Sequence, residues 1–168
     1  MQFRKPPTHR IDAPIVFVHP GDSAWDTEAI EKSREEHGED CPWSRYCSGA
    51  TRYDIGPVTH LLSGKPVEFH LRRLDAIQLN DVTGLREREA LQGFLYARAA
   101  SMKGARLGLV SIEQDGRKLL ELQRPADLTI TDVQTITDSF DEGIEVLRLV
   151  GAAVFQASQP LRDDEKKH

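Results

Sequence analysis

Between residues 133 and 157 the apolar positions Val133, Ile136, Phe140, Ile144, Leu147, Val150, Val154 and Ala157 follow one another at steps of three and four. That spacing puts side chains on one face of an α-helix. Thr131-x-x-Gln134 supplies a capping box at the start, and Pro160 a stop just past Gln159. The pattern predicts a single amphipathic helix over 132–158, roughly 40 Å long at ~1.5 Å per residue. A helix of that length in a chain of 168 residues must be covered along its apolar side, so its packing constrains everything else. Gly143 and Gly151 lie eight apart on nearly one side of it. Each costs about 1 kcal/mol of helix stability relative to Ala, a cost that close approach of another backbone of the same chain would offset.

The rest reads as shorter elements. Residues 1–14 hold three prolines and no periodicity, which predicts an extended arm. Ile15 to His19 is a β-branched and aromatic run, a strand. Pro20-Gly21-Asp22-Ser23 is a turn, from which Asp22 or Ser23 caps an acidic helix over 24–37 that Gly38 ends. The stretch 41–59 is aromatic and turn-rich, with one short helix over 42–47. Val67, Phe69 and Leu71 alternate with Glu68, His70 and Arg72, the period of a half-buried strand. Asp75 caps a short helix ending near Gly84. A helix over 85–102 sets Leu91, Phe94, Leu95 and Met102 on its inner side and stops at Gly104. A strand over 105–113, the Asp115-Gly116 turn and a return strand over 118–123 make a hairpin.

These elements predict an α+β fold. A small antiparallel sheet uses 67–73, 105–113 and 118–123, with the helices 85–102 and 132–158 packed on it. The organisation is an N-terminal region of arm, strand and acidic helix over 1–40, a core domain over 41–162, and a charged tail over 163–168. No apolar run approaches the ~20 residues of a membrane span. The basic start MQFRKPPTHR has no apolar stretch behind it, unlike a secretory signal. The expected place is the cytoplasm, with no membrane contact.

Charge narrows the partners. Residues 26–40 carry seven acids and two bases, which is the whole of the net charge of −5; the remainder is balanced at twenty of each sign. A nucleic-acid partner needs a net basic face and is not expected. An acidic helix is either a solvated surface or a contact for a basic protein.

Candidate chemistry is sparse. None of the six histidines stands four residues from another metal-type ligand on a helix. A zinc site built from His60 and His70 with Cys41 or Cys47, or a cysteine hydrolase pairing Cys41 or Cys47 with His60, assisted by Arg45, Arg52 and Asp54, would assemble common residues without a diagnostic spacing. A cytoplasmic chain keeps both thiols reduced, and their spacing is not that of a CxxC motif. Glycine loops for phosphate are absent. The reading is a non-enzymatic protein with no cofactor and no metal. Trp43, Tyr46 and Tyr53, interleaved with Arg45 and Arg52, are the residue types of interface hot spots and equally of a loop anchored on its own core.

Four segments carry a family resemblance: Trp43-Ser44-Arg45-Tyr46; Gly49-Ala50-Thr51-Arg52-Tyr53-Asp54; Phe69-His70-Leu71-Arg72-Arg73-Leu74 ahead of helices; and Ala157-Ser158-Gln159-Pro160-Leu161 closing the last helix. Over 41–162 the layout resembles the tail assembly chaperones encoded in the morphogenesis clusters of tailed bacteriophages and prophages. It fits other small phage proteins too, including head–tail joining subunits. The resemblance implies a non-enzymatic partner of the tape-measure protein, kept soluble while tail-tube subunits polymerise around it. Such a role needs an apolar face with a polar rim. The partner-binding candidates are Trp43, Arg45, Tyr46, Arg52 and Tyr53, with Phe140, Leu147 and Val154 of the last helix. A chaperone would be monomeric, dimeric or a loose homo-oligomer, whereas the rival, a head–tail connector subunit, would form a closed ring. The enzymatic rival is the small cysteine- or zinc-dependent hydrolase.

Overall fold

The computed structural model describes residues 15–85, 92–120 and 128–159. The expected N-terminal arm, residues 86–91 of the predicted helix, the end of the return strand and the charged tail lie outside the described residues.

Four strands form one antiparallel sheet in sequential order: β1 (Ile15–Val18), β2 (Val67–Leu71), β3 (Leu109–Gln114) and β4 (Arg117–Leu120). The alternation in β2 does what its period requires. Phe69 and Leu71 are buried, and Phe69 stands in register with Phe17 of β1 and Ile112 of β3. On the opposite face, Val16, His70 and Ser111 form one row, and Val18, Glu68 and Glu113 the next. Asp115 and Gly116 both adopt positive φ, at 54° and 71°, the backbone that a two-residue hairpin turn demands. The fold is therefore α+β, as the sequence predicts, and the predicted strand at 15–18 joins the sheet as a fourth member. β1 is an edge strand, and Phe17, Trp25 and Ile30 belong to the same hydrophobic core as Leu147 and Val154. Residues 15–40 thus pack into the same core as the rest of the described chain.

Six α-helices accompany the sheet among the described residues, besides two short 3-10 turns: α1 (Thr27–His37), α2 (Pro42–Cys47), α3 (Ala76–Thr83), α4 (Gly93–Gly108), α5 (Ile130–Ser139) and α6 (Gly143–Ser158). α1 is capped by Asp26, whose carboxylate accepts the Ala29 N–H, and it ends at Gly38 with φ 56°. Asp22, one of the expected caps, instead accepts the N–H groups of Ala24 and Val67, tying the first turn to β2. Asp75 caps α3 in a reciprocal box with Gln78.

Two expectations about helices are corrected. The predicted helix over 132–158 is two helices, α5 and α6. Thr129 and Asp132 make the capping box, not Thr131 and Gln134. Thr135, Thr137 and Ser139 each donate a side-chain hydroxyl to the carbonyl four residues back, a competition that weakens and bends helices. Phe140 is then extended and Glu142 left-handed, with φ 57°. The apolar period runs through the break because Phe140 still turns inward, its ring 5.8 Å from that of Phe69. A Cβ on Gly143 would sit 2.3 Å from the Thr137 carbonyl oxygen, so only glycine lets the chain reverse this tightly.

The second correction concerns Gly104. It does not stop α4, which runs on through 105–108, residues expected in the strand. Its role is contact. A Cβ on Gly151 would fall 1.6 Å from the Ser101 carbonyl oxygen, and one on Gly108 would fall 2.3 Å from the Val154 side chain. A Cβ on Gly104 would fall 3.0 Å from the Gly151 carbonyl oxygen. α4 and α6 therefore press backbone to backbone, which is the close approach that Gly151 anticipates.

Candidate functional site

Most of the aromatic and arginine candidates serve the interior. Trp43, Tyr46 and Tyr53 are buried and pack with Phe17 and Trp25, with Trp25 and Trp43 ring centres 4.5 Å apart in an edge-on contact. Leu147 and Val154 are fully buried beneath α4 and the sheet. Phe140 is half-buried on Phe69. Of the eight predicted partner-binding residues, only Arg45 is exposed. Aromatic side chains that suit an interface suit a core equally well, and here the core takes them.

Tyr46 has a definite task. Its hydroxyl accepts the Val18 N–H at 3.1 Å and donates to the Val18 carbonyl at 2.7 Å. Both groups face away from β2, so the phenol stands where a neighbouring strand would pair and closes that end of the sheet edge. Burial pushes the Tyr46 phenol well above its ordinary value.

The arginines act on the end of α6. Arg52 Nη1 donates to the Gln159 carbonyl at 2.6 Å, and Arg73 Nε donates to the Ala157 carbonyl at 3.1 Å. Ser158 accepts the Leu74 N–H at 2.9 Å. Two guanidinium groups thus satisfy carbonyls at a helix C-terminus, where the backbone carries partial negative charge. Arg52 and Tyr53 pay for this placement with left-handed backbone, φ 56° and 58°. Arg52, the end of β2 and residues 157–159 are consequently joined in space by one latch.

One polar constellation occupies the outer face of the sheet. His70 Nε2 lies 3.2 Å from Glu68 Oε2 and 3.7 Å from Glu113 Oε2, and the Ser111 hydroxyl donates to the other Glu113 oxygen at 2.8 Å. Among the described residues no group of three His, Cys, Asp or Glu side chains is placed to hold a metal ion. Both cysteines are free. Cys41 is fully buried, its thiol 3.6 Å from the Ser33 hydroxyl. Burial pushes the Cys41 thiol up, but hydrogen bonds from the Ser44 backbone, the Ser33 hydroxyl and the Trp43 backbone outweigh it and leave it below its ordinary value. Burial pushes Cys47 up. His60 is exposed in the turn Gly56–Leu61. Cys41 is sealed from solvent, and no hydrogen bond joins either cysteine to His60 or His70 among the described residues.

The surface that sequence reasoning misses is the start of α4. Phe94 and Leu95, expected inside, are 70% and 62% exposed. Phe94 lies seven residues before Ser101 and so on the same side of the helix as the contact with Gly151. The apolar side of α4 that covers α6 continues two turns past that contact, and there it faces solvent. The signal that would have found it is the Gly104–Gly108 spacing, which marks the segment of α4 that is pressed against a neighbour.

Neither a protein-family model, nor a curated protein, nor a solved structure matches this chain. No helix among the described residues is long and apolar enough to cross a membrane.

Proposed function

We propose that this chain is a non-enzymatic binding protein, and, following the resemblance in its sequence, a tail assembly chaperone of a tailed phage or prophage that holds the tape-measure or tail-tube protein during morphogenesis in the host cytoplasm. The observation that carries the binding role is the uncovered start of α4. Phe94 and Leu95 are adjacent large apolar side chains held on a helix whose further turns are locked into the core. Fully burying two such side chains against a client contributes roughly 3–6 kcal/mol before the costs of association. An apolar helix face of this kind suits an amphipathic helical client. The client-binding surface is accordingly moved from the predicted aromatic cluster and last helix to α4, with Arg45 outside it.

The test is co-expression with the tape-measure and tail-tube proteins of the genome that encodes this chain, followed by co-purification. The expected result is a stable complex with one of them that Phe94→Ser/Leu95→Ser weakens at least tenfold while the circular dichroism spectrum is unchanged. Absence of such proteins from that genome, or failure of all of them to co-purify, would remove the phage reading. An undiminished complex with the double variant would remove α4 as its surface. A closed ring of the isolated chain by light scattering would favour the connector.

A further inference from the structure

We draw no further inference here: the strongest candidate, the Glu68–His70–Glu113 cluster on the outer face of the sheet, consists of cross-strand side chains that satisfy one another and are not placed to hold a metal ion, and nothing else in the structure points to a ligand there.

Discussion

Replacing Tyr46 by Phe isolates the contribution of a single hydroxyl to the edge of the sheet. The ring remains to stack with Phe17 and Trp43, so the change removes two hydrogen bonds and almost no volume. It leaves the buried N–H and C=O of Val18 without their partner. An orphaned buried group costs about 1–3 kcal/mol. Two of them on one residue at a sheet edge, where one water can enter, give a net loss of about 2–4 kcal/mol. For a chain of this size that is a fall in Tm of roughly 5–15 °C. Urea unfolding followed by tryptophan fluorescence measures it, with an unchanged m-value confirming that the folded state alone was altered. Tyr53→Phe is the control, because the Tyr53 hydroxyl has no hydrogen-bond partner among the described residues; its loss should stay below about 0.5 kcal/mol. A second readout is alkaline. Burial holds the Tyr46 phenol above its ordinary value, so the folded chain keeps a proton that the unfolded chain releases above about pH 10. Stability is intact below that pH and falls by about 1.4 kcal/mol per pH unit above it, from this residue alone. The Tyr46→Phe chain should lose that slope and retain the smaller one from Tyr53, whose phenol burial also raises. A loss below about 0.5 kcal/mol in urea would refute the edge-closing role.

Gly151→Ala should destabilise by about 3 kcal/mol or more in thermal unfolding, because the obstructing atom is the Ser101 backbone carbonyl and cannot rotate away; Gly104→Ala, with 3.0 Å available, should cost distinctly less. His19 accepts the Gly21 N–H through Nδ1 at 3.0 Å, and burial, only partly opposed by Asp22 and Glu142, lowers its pKa. Its contribution is complete above about pH 6.5 and declines as pH falls below that value, where the unfolded chain takes up the proton first; His19→Asn, whose amide oxygen can accept the same N–H, should flatten the acid limb of a stability–pH curve. Arg52→Met should cost about 1.5–3 kcal/mol in urea unfolding through the lost charged hydrogen bond to Gln159. Phe94→Ser/Leu95→Ser should leave the urea midpoint within error, since both side chains are exposed.

What the sequence discloses depends on whether a residue answers to its neighbours in the chain or to distant ones. The alternation around Phe69, the Asp75 cap, the Asp115–Gly116 turn and the stop at Gly38 are local, and each stands where its chemistry puts it. The break at Phe140–Glu142 is hidden because the apolar period continues through it and Phe140 is placed inward by the turn itself. Gly104 is misleading because a glycine that ends a helix and a glycine that admits another helix look alike until the neighbour at Gly151 is known. Trp43, Tyr46 and Tyr53 satisfy the composition of an interface, but Val18 and Phe17, which claim them, lie some thirty residues away across a strand whose pairing the sequence does not specify. Phe94 is the converse: its position on the apolar side of α4 is legible, whereas the extent of the covering helix is not.

The latch on α6 has a consequence for the order of events during synthesis. Arg52 reaches a carbonyl 107 positions later in the chain, and Arg73 one 84 positions later. A nascent chain that has delivered the aromatic loop and most of the sheet still lacks the Gln159 carbonyl that Arg52 holds. The aromatics of that loop can pack on Phe17 and Trp25 earlier, but the latch to α6 closes only once residues 157–159 are present, and a chain cut before residue 157 would lack the carbonyls that Arg52 and Arg73 hold.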